Sequence, residues 1–214
     1  MKIERTLVDE RYIYEAIRGA RLSRRSEHKM DSHVEWVSTP NGPQFRLVMG
    51  ADDERLCRHL VLTGNGEEKF LRAIPVSVFV TAPLRLFFDL DTYKVGTTKQ
   101  SSSLMHHFKS KGELSAEDFT ETTDPRLIEI ANEKFRAWVA AGGKATSACR
   151  EWIEFQDAVC RGYLYTAQWQ VNYAVLRNVY FQRRHHRQWE FRELCRWIES
   201  QLPYSWLITV EREK

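Results

Sequence analysis

Ile74-Pro75-Val76-Ser77-Val78-Phe79-Val80-Thr81, followed by Ala82-Pro83, is the stretch that decides the fold class. Ile74, Val76, Val78 and Val80 recur at every second position, which places them on one face of a β-strand, and Ala82-Pro83 ends the run. Pro83 suits a helix start, because its ring fixes φ and the first helical turn leaves that N–H unbonded anyway. Leu84 to Asp91 is the short helix expected next. Upstream, Val8 to about Arg25 carries Ile13, Ile17 and Ala20 at helical spacing among many charges and reads as an exposed amphipathic helix. His33 to Met49 reads as a hairpin. Val34 and Trp36 alternate on one arm, Phe45 and Leu47 on the other, and Pro40-Asn41-Gly42-Pro43 supplies the turn. Cys57 to Thr63 is apolar enough for either helix or strand.

Downstream of the strand, Tyr93 to His107 is polar, contains one glycine and reads as a loop entering another element. Pro125 then opens a helix whose stripe is Leu127, Ile130, Ala131, Phe135 and Trp138, stopped by Gly142-Gly143. Thr146 to Cys160 follows, with Trp152, Phe155 and Val159 inward. Val171 to about Phe181 is again helical. A last helix from about Gln188 to Ser200 buries Phe191, Leu194, Trp197 and Ile198 before Pro203. The expected architecture is α+β, a small antiparallel sheet packed against several helices, in a single domain spanning residues 1–214.

Composition excludes more than it assigns. With 214 residues, 43% hydrophobic and 29% charged, the chain suits one ordered domain and not wholesale disorder. No apolar run approaches the roughly 20 residues that cross a bilayer, and the first residues lack a signal-peptide core. No membrane partner is expected. A net charge of +3 is too small to argue for nucleic acid, so none is expected either. Cys57, Cys149, Cys160 and Cys195 form no CxxC pair and read as reduced thiols of a cytoplasmic protein without structural zinc. The seven tryptophans fall mostly on helical stripes and are assigned to the core.

Phosphate-loop, GxGxxG, HExxH and GxSxG signatures are absent. The adjacent pair His106-His107 points apart on helix or strand alike and reads as solvated polar chain rather than a metal site. Arg183-Arg184-His185-His186-Arg187 is the densest positive patch. Two readings stay open for it: guanidinium forks gripping phosphate oxygens, or a solvated helix end favoured by the helix dipole. Ser101-Ser102-Ser103 gains chemistry only if a base lies near it in space.

Two segments taken together resemble the flavin-dependent thymidylate synthases. In that family a strand ending in Ala-Pro leads through a short helix to a signature of the form RHRxxSxNExSxRY. Laid on it, Thr92 takes the first Arg, Tyr93 the His, Lys94 the second Arg, Thr97 the first Ser, Lys99 the Asn, Gln100 the Glu and Ser102 the second Ser. Leu104 and Met105 fall on the final Arg-Tyr. Leu164-Tyr165-Thr166, Val171-Asn172, Asn178, Arg183, His186 and Gln188-Trp189-Glu190-Phe191 are similar to the family's C-terminal pattern. There, two Asn on a helix lead to an Arg and then a His-Ala-Gln-Trp-Glu-Ile run. Arg187 replaces that Ala, and the gap between Arg183 and His186 is one residue shorter. The resemblance spans roughly Phe70 to Ile198.

The resemblance implies a homotetramer of α+β subunits holding FAD across subunit interfaces, in a divergent, phage-type relative. It implies methylation of dUMP, or a related pyrimidine deoxynucleotide, at C5, with methylenetetrahydrofolate as carbon donor and NADPH as reductant. Tyr93, Lys94, Thr97, Asn172, Asn178 and His186 are then expected at the flavin. Gln100, Ser102, Arg183 and Gln188 are expected at the nucleotide, with Ser102 and Arg183 catalytic. Lys94, Lys99, Arg184 and Arg187 are the cations available to replace the family's phosphate-binding arginines, which are absent at Leu104 and in the segment before Leu164; the family's first flavin-contacting Arg is Thr92 here. Two alternatives remain: a pyrimidine nucleotide hydroxymethylase of the same fold, and a nucleotide-binding or interaction module without flavin chemistry.

Overall fold

The computed structural model describes residues 1–40, 42–102 and 104–211. Strand β1 (Lys2–Leu7) precedes helix α1 (Glu10–Leu22), whose cap Asp9 accepts the Arg11 N–H at 2.9 Å. The apolar face of α1 is not exposed: Ile13, Ala16, Ile17 and Ala20 are buried. Strands β2 (His33–Thr39) and β3 (Gly42–Val48) form the expected antiparallel hairpin, with Val34 opposite Leu47 and Trp36 opposite Phe45. Gly42 turns it at φ +100°, and Asn41 lies outside the described residues. Helix α2 (Ala51–Thr63) decides the Cys57–Thr63 ambiguity, since Cys57, Leu60 and Val61 bury at helical spacing. A buried ion pair locks α1 to α2: Arg21 Nε donates to Asp53 Oδ1 at 2.6 Å, and Asp53 Oδ2 accepts the Ser32 N–H at 2.9 Å. Burial, helped by the Asp53 charge, pushes the Cys57 thiol up to about 12.

A 3₁₀ turn, Glu67–Ala73, leads into β4 (Pro75–Pro83), where Val76, Val78 and Val80 are buried as the alternation requires. Pro83 is the cap of α3 (Leu84–Leu90) rather than its first residue. The stretch expected as loop from Tyr93 to His107 instead contains β5 (Thr98–Ser101) and the start of α4 (Leu104–Lys111). All four residues of β5 are exposed, so no apolar alternation marks it. Ser103 and the side chains of Leu104, Met105 and His106 lie outside the described residues.

Helix α5 (Pro125–Ala140) buries Ala131, Asn132, Phe135 and Trp138, whereas Leu127 and Ile130 of the expected stripe are 42% and 46% exposed. The face is rotated because Asn132 must point inward. Its Oδ1 accepts the Leu114 N–H at 2.7 Å and its Nδ2 donates to the Leu114 carbonyl at 2.9 Å. Helix α6 (Arg150–Ala158) adds Trp152 and Phe155 to a core shared with Phe108, Phe119, Phe135, Trp138 and Tyr163. Phe108 and Phe155 meet edge-on at 4.9 Å and 72°. The segment Leu164–Asn172 is strand β6, burying Ala167, Trp169 and Val171 at alternate positions, so α7 begins only at Tyr173 (Tyr173–Arg183). Helices α8 (Trp189–Gln201) and α9 (Trp206–Thr209) complete the chain, and α8 buries the four side chains expected of it. Trp36 and Trp189 are 64% and 43% exposed, so the core assignment of the tryptophans fails at these two.

The larger sheet runs β1-β4-β6-β5, and the β2-β3 hairpin stands apart from it. The architecture is α+β, with small sheets and several helices. Contacts divide the chain into two compact units. One comprises Met1–Lys2, Phe79–Thr92 and Lys99–Gln168 and holds the aromatic core; the other comprises Ile3–Val78, Tyr93–Thr98 and the chain from Trp169 onward. Among the described residues no helix is long and apolar enough to cross a membrane.

Candidate functional site

In the second unit, residues 93–98 lie along α7. At the helix start, Asn172 is the N-cap: its Oδ1 accepts the Val175 N–H at 3.1 Å, and its Nδ2 donates to the Gly96 carbonyl at 3.4 Å. Gly96 is required there twice over. Its φ is +82°, and a Cβ would stand 2.8 Å from Asn172 Nδ2 and 3.3 Å from Val175 Cγ2. At the helix end, Arg183 Nε donates to Tyr93 Oη at 3.0 Å, and Tyr93 Oη donates to Gln182 Oε1 at 2.9 Å. Thr97 Oγ1 closes the loop on itself by donating to the Tyr93 carbonyl at 2.8 Å. The loop therefore runs antiparallel to the helix, held at both ends.

Arg183 is a half-buried guanidinium with unusual support. Phe191 lies under it at 4.8 Å, and Tyr93 borders it at 5.9 Å. Only Nε is engaged, so both terminal amino groups keep their planar fork with no acidic partner among the described residues. His186 meets the same Phe191 edge-on at 5.0 Å. Its Nδ1 accepts the Gln188 N–H at 3.3 Å, which leaves Nε2 as the protonated nitrogen of the neutral ring. Arg192 fixes this corner by donating to the His186 and Arg187 carbonyls at 2.7 and 3.0 Å. Gln188 Oε1 is buried without a hydrogen-bond partner among the described residues, an acceptor still owed a donor.

Beside this lies a cleft of about 300 Å³ lined by Lys69 and Arg72 of the 3₁₀ turn, Val95 of the loop, and Asn172, Arg177 and Asn178 of the α7 side. Val95 is 90% exposed, unusual for so apolar a side chain. Arg177 Nη1 donates to the Ile208 and Val210 carbonyls at 2.6 and 2.8 Å. Burial lowers its pKa, but a guanidinium stays charged.

Of the residues expected at the site, Tyr93, Thr97, Asn172, Arg183, His186 and Gln188 fall into this bonded network, and Asn178 lines the adjoining cleft. Lys94 is exposed on the loop. Gln100 and Ser102 belong to the other unit, where both are exposed and make no side-chain hydrogen bond among the described residues. The basic run is not one patch. Arg184 pairs with Glu211 at 2.8 Å and stacks on Phe181 at 4.9 Å, His185 and Arg187 are exposed, and only Arg183 and His186 join the network. Lys99 is likewise occupied, pairing with Asp91 at 2.6 Å. Two of the four cations expected to replace the family arginines are thus already in use. Lys69 and Arg72 were not expected at all; their only signal was a separation of three residues, which places side chains on one face of a helical turn. Among the described residues no cluster of His, Cys, Asp or Glu could hold a metal, and the four cysteines are free.

No family model matches the sequence, and no curated protein does. Solved structures do. The chain is similar to the flavin-dependent thymidylate synthase ThyX from Helicobacter pylori, seen in two structures with FAD and dUMP. The TM-score is 0.66 and the identity 11%, over 98% of both chains. It is also similar to PolB from Streptomyces cacaoi, a UMP/dUMP methylase bound with 5-Br dUMP. There the TM-score is 0.61 and the identity 13%, over 93% of this chain and 87% of that one. The fold is that of the flavin-dependent thymidylate synthases.

Proposed function

We propose that this chain is a divergent flavin-dependent enzyme that binds a pyrimidine nucleotide, dUMP foremost, and methylates it at C5. The observation that carries the reading is Arg183, fixed through Nε by Tyr93 and from beneath by Phe191, with its terminal fork left for an anion. A guanidinium held this way loses little freedom on binding phosphate, so more of the bond energy appears as affinity. The fold's own neighbours supply the ligand class: ThyX was solved with FAD and dUMP, and PolB is a UMP/dUMP methylase.

The residues suit a flavin dinucleotide. The cleft offers cations, an amide at Asn178 and an exposed apolar side chain at Val95, donors and surface that match diphosphate, polar ring edge and ring plane respectively. Its volume sits at the lower end of ligand pockets, about 300–1,000 Å³. One subunit therefore offers part of a dinucleotide site, consistent with a homotetramer sharing FAD between subunits. When bound, the flavin supplies the reducing equivalents that turn a one-carbon unit from methylenetetrahydrofolate into a methyl group, with NADPH as the ultimate donor. This chain's own residues do the rest. Arg183 holds the nucleotide phosphate, and Gln188 Oε1 accepts a donor from the bound ligands. His186 presents Nε2–H at the flavin, with Tyr93, Lys94, Thr97, Asn172 and Asn178 beside it. On this reading Gln100 and Ser102 are nucleotide contacts, with Ser102 serving the reacting base. We take residues 1–214 as a single domain of a cytoplasmic enzyme.

The test is a product assay. The protein, FAD, NADPH and methylenetetrahydrofolate are incubated with dUMP, UMP or dCMP, and the recovered nucleotide is weighed by mass spectrometry. A C5-methylated nucleotide supports the reading, a hydroxymethylated one shifts it to a hydroxymethylase, and unchanged nucleotide with flavin bound leaves a binding module.

A further inference from the structure

Arg177, Phe181 and Arg184 recur at spacings of four and three along α7 and its C-cap, so they share one row of the helix. Both guanidinium groups lie over the Phe181 ring, Arg177 at 4.6 Å and Arg184 at 4.9 Å. Each then reaches residues 208–211. Arg177 Nη1 donates to the Ile208 and Val210 carbonyls at 2.6 and 2.8 Å, at and just past the end of the four-residue helix α9, where a helix has no internal donors left to offer. Arg184 meets Glu211 fork to fork, Nη1 to Oε1 at 3.2 Å and Nη2 to Oε2 at 2.8 Å. This segment arrives already anchored, because Leu207 and Ile208 are fully buried. The end of α7 is therefore held twice: by Tyr93 through Gln182 and Arg183, and by residues 208–211 through Arg177 and Arg184. An exposed ion pair contributes little by itself. This one differs, since the Arg184 side chain is only 25% exposed and its Nε is buried without a hydrogen-bond partner among the described residues. Part of that guanidinium has already left water, and a bidentate partner fixes its orientation as well as its distance. Arg184 is also the backbone neighbour of Arg183. Its N–H donates to the Tyr180 carbonyl at 2.9 Å, and the His186 N–H donates to the Arg183 carbonyl at 2.9 Å. A shift of Arg184 thus moves the main chain that carries the Arg183 fork.

We propose that residues 208–211 are a positioning strap, in which Glu211 and the two carbonyls hold the last turns of α7 at the orientation from which Arg183 presents its fork. Glu211 is a positioning residue and acts through Arg184. The inference rests on the nucleotide reading only for what Arg183 binds. The Arg183 side chain is tied through Nε alone, so the direction of its fork follows the turn that carries it. A turn free to fray would spread the fork over many orientations, and ordering it again on binding would subtract from affinity.

The test compares wild type with Glu211→Gln, which loses the charge, and Glu211→Asp, which keeps it. Amide hydrogen exchange is followed by mass spectrometry without ligand, on peptides covering residues 182–188 and, as the control for global stability, residues 10–22 of α1. Binding of dUMP is then measured by calorimetry. In Glu211→Gln, exchange in 182–188 rises about 3–10-fold while 10–22 keeps its wild-type rate, and dUMP binds about 3–10-fold more weakly, the range of a bidentate, partly buried pair. Glu211→Asp restores both. Unchanged exchange in 182–188 overturns the proposal. An equal rise in 10–22 does so too, because the pair would then serve global stability and nothing more. Faster exchange in 182–188 with dUMP affinity intact also overturns it, since the fork would not depend on the strap. If wild type binds no dUMP and exchange still separates the variants in this way, the strap stands and the nucleotide reading falls.

Discussion

Residues 93–98 are tied to α7 at both ends, through Tyr93 to Arg183 and through Gly96 to Asn172, and Thr97 closes the loop from within. Residues 99–102 continue the same run of sequence but are built differently. Lys99 is drawn back to Asp91, and Gln100, Ser101 and Ser102 project into solvent without a side-chain bond among the described residues. The first stretch is preorganised: a ligand reaching Tyr93 or Arg183 meets side chains already in place, and little ordering entropy is lost. The second stretch is held by the backbone pairing of β5 and, beyond Lys99, by no side-chain tether among the described residues. If Gln100 and Ser102 serve the nucleotide, their order has to arrive with the ligand or with another subunit.

Four substitutions break or sharpen that contrast. Arg183→Ala has the largest effect: nucleotide affinity falls about 10–150-fold, equivalent to about 1.5–3 kcal/mol for a charged hydrogen-bonding group, while the melting temperature barely moves. Equal losses of binding and stability, read by calorimetry and thermal melting, would make Arg183 a structural strut. Asn172→Ala costs about 1 kcal/mol of stability through the lost cap. Asn172→Asp keeps the acceptor for the Val175 N–H and loses the donor to Gly96. In urea titrations Asp should recover the stability and still bind flavin poorly; recovery of both would mean the loop tether is idle. Ser102→Ala, in the untethered stretch, changes stability by less than about 0.5 kcal/mol and lowers turnover with flavin still bound. Wild-type turnover would remove Ser102 from the site.

The smallest effect is on acid stability, and it falls outside the network. Burial alone would push Asp118 up, but Lys111 Nζ at 2.9 Å and the Ser115 N–H at 2.8 Å hold its pKa below the usual carboxylate value. A depressed carboxylate contributes stability that is full above its unfolded pKa, near 4, and is lost as pH falls through the folded value. Asp118→Asn should therefore flatten the stability curve below about pH 4 and leave nucleotide affinity at pH 7 untouched.

How much of this was legible in the sequence depended on whether burial left a period behind. β4 was readable because Val76, Val78 and Val80 all face the core. β5 was not, since TKQS is exposed throughout and its pairing is a matter of backbone alone. β6 carries a period-2 signal in Ala167, Trp169 and Val171, with the polar Gln168 and Gln170 between them, but the helical pattern beyond it dominates the same window. The α5 stripe was misplaced for a different reason. Asn132 buries by satisfying both polar groups of Leu114, and a polar residue closing such a pair looks like a surface residue in a hydropathy pattern. At the site, Arg183, Asn172 and Tyr93 came through the family resemblance, and the structure then supplied the reason they belong together. Lys69 and Arg72 had no motif and no apolar period; only the 3₁₀ turn reveals that they share a face.

Whether one subunit type binds a flavin and a pyrimidine nucleotide together is read from the visible absorption spectrum. Purified protein is loaded with FAD, freed of excess, and titrated with dUMP. The account predicts stoichiometric flavin bands that shift and saturate as dUMP binds, with no shift in Arg183→Ala at the same dUMP concentration. A protein that stays colourless after loading, or flavin bands indifferent to dUMP, would contradict it.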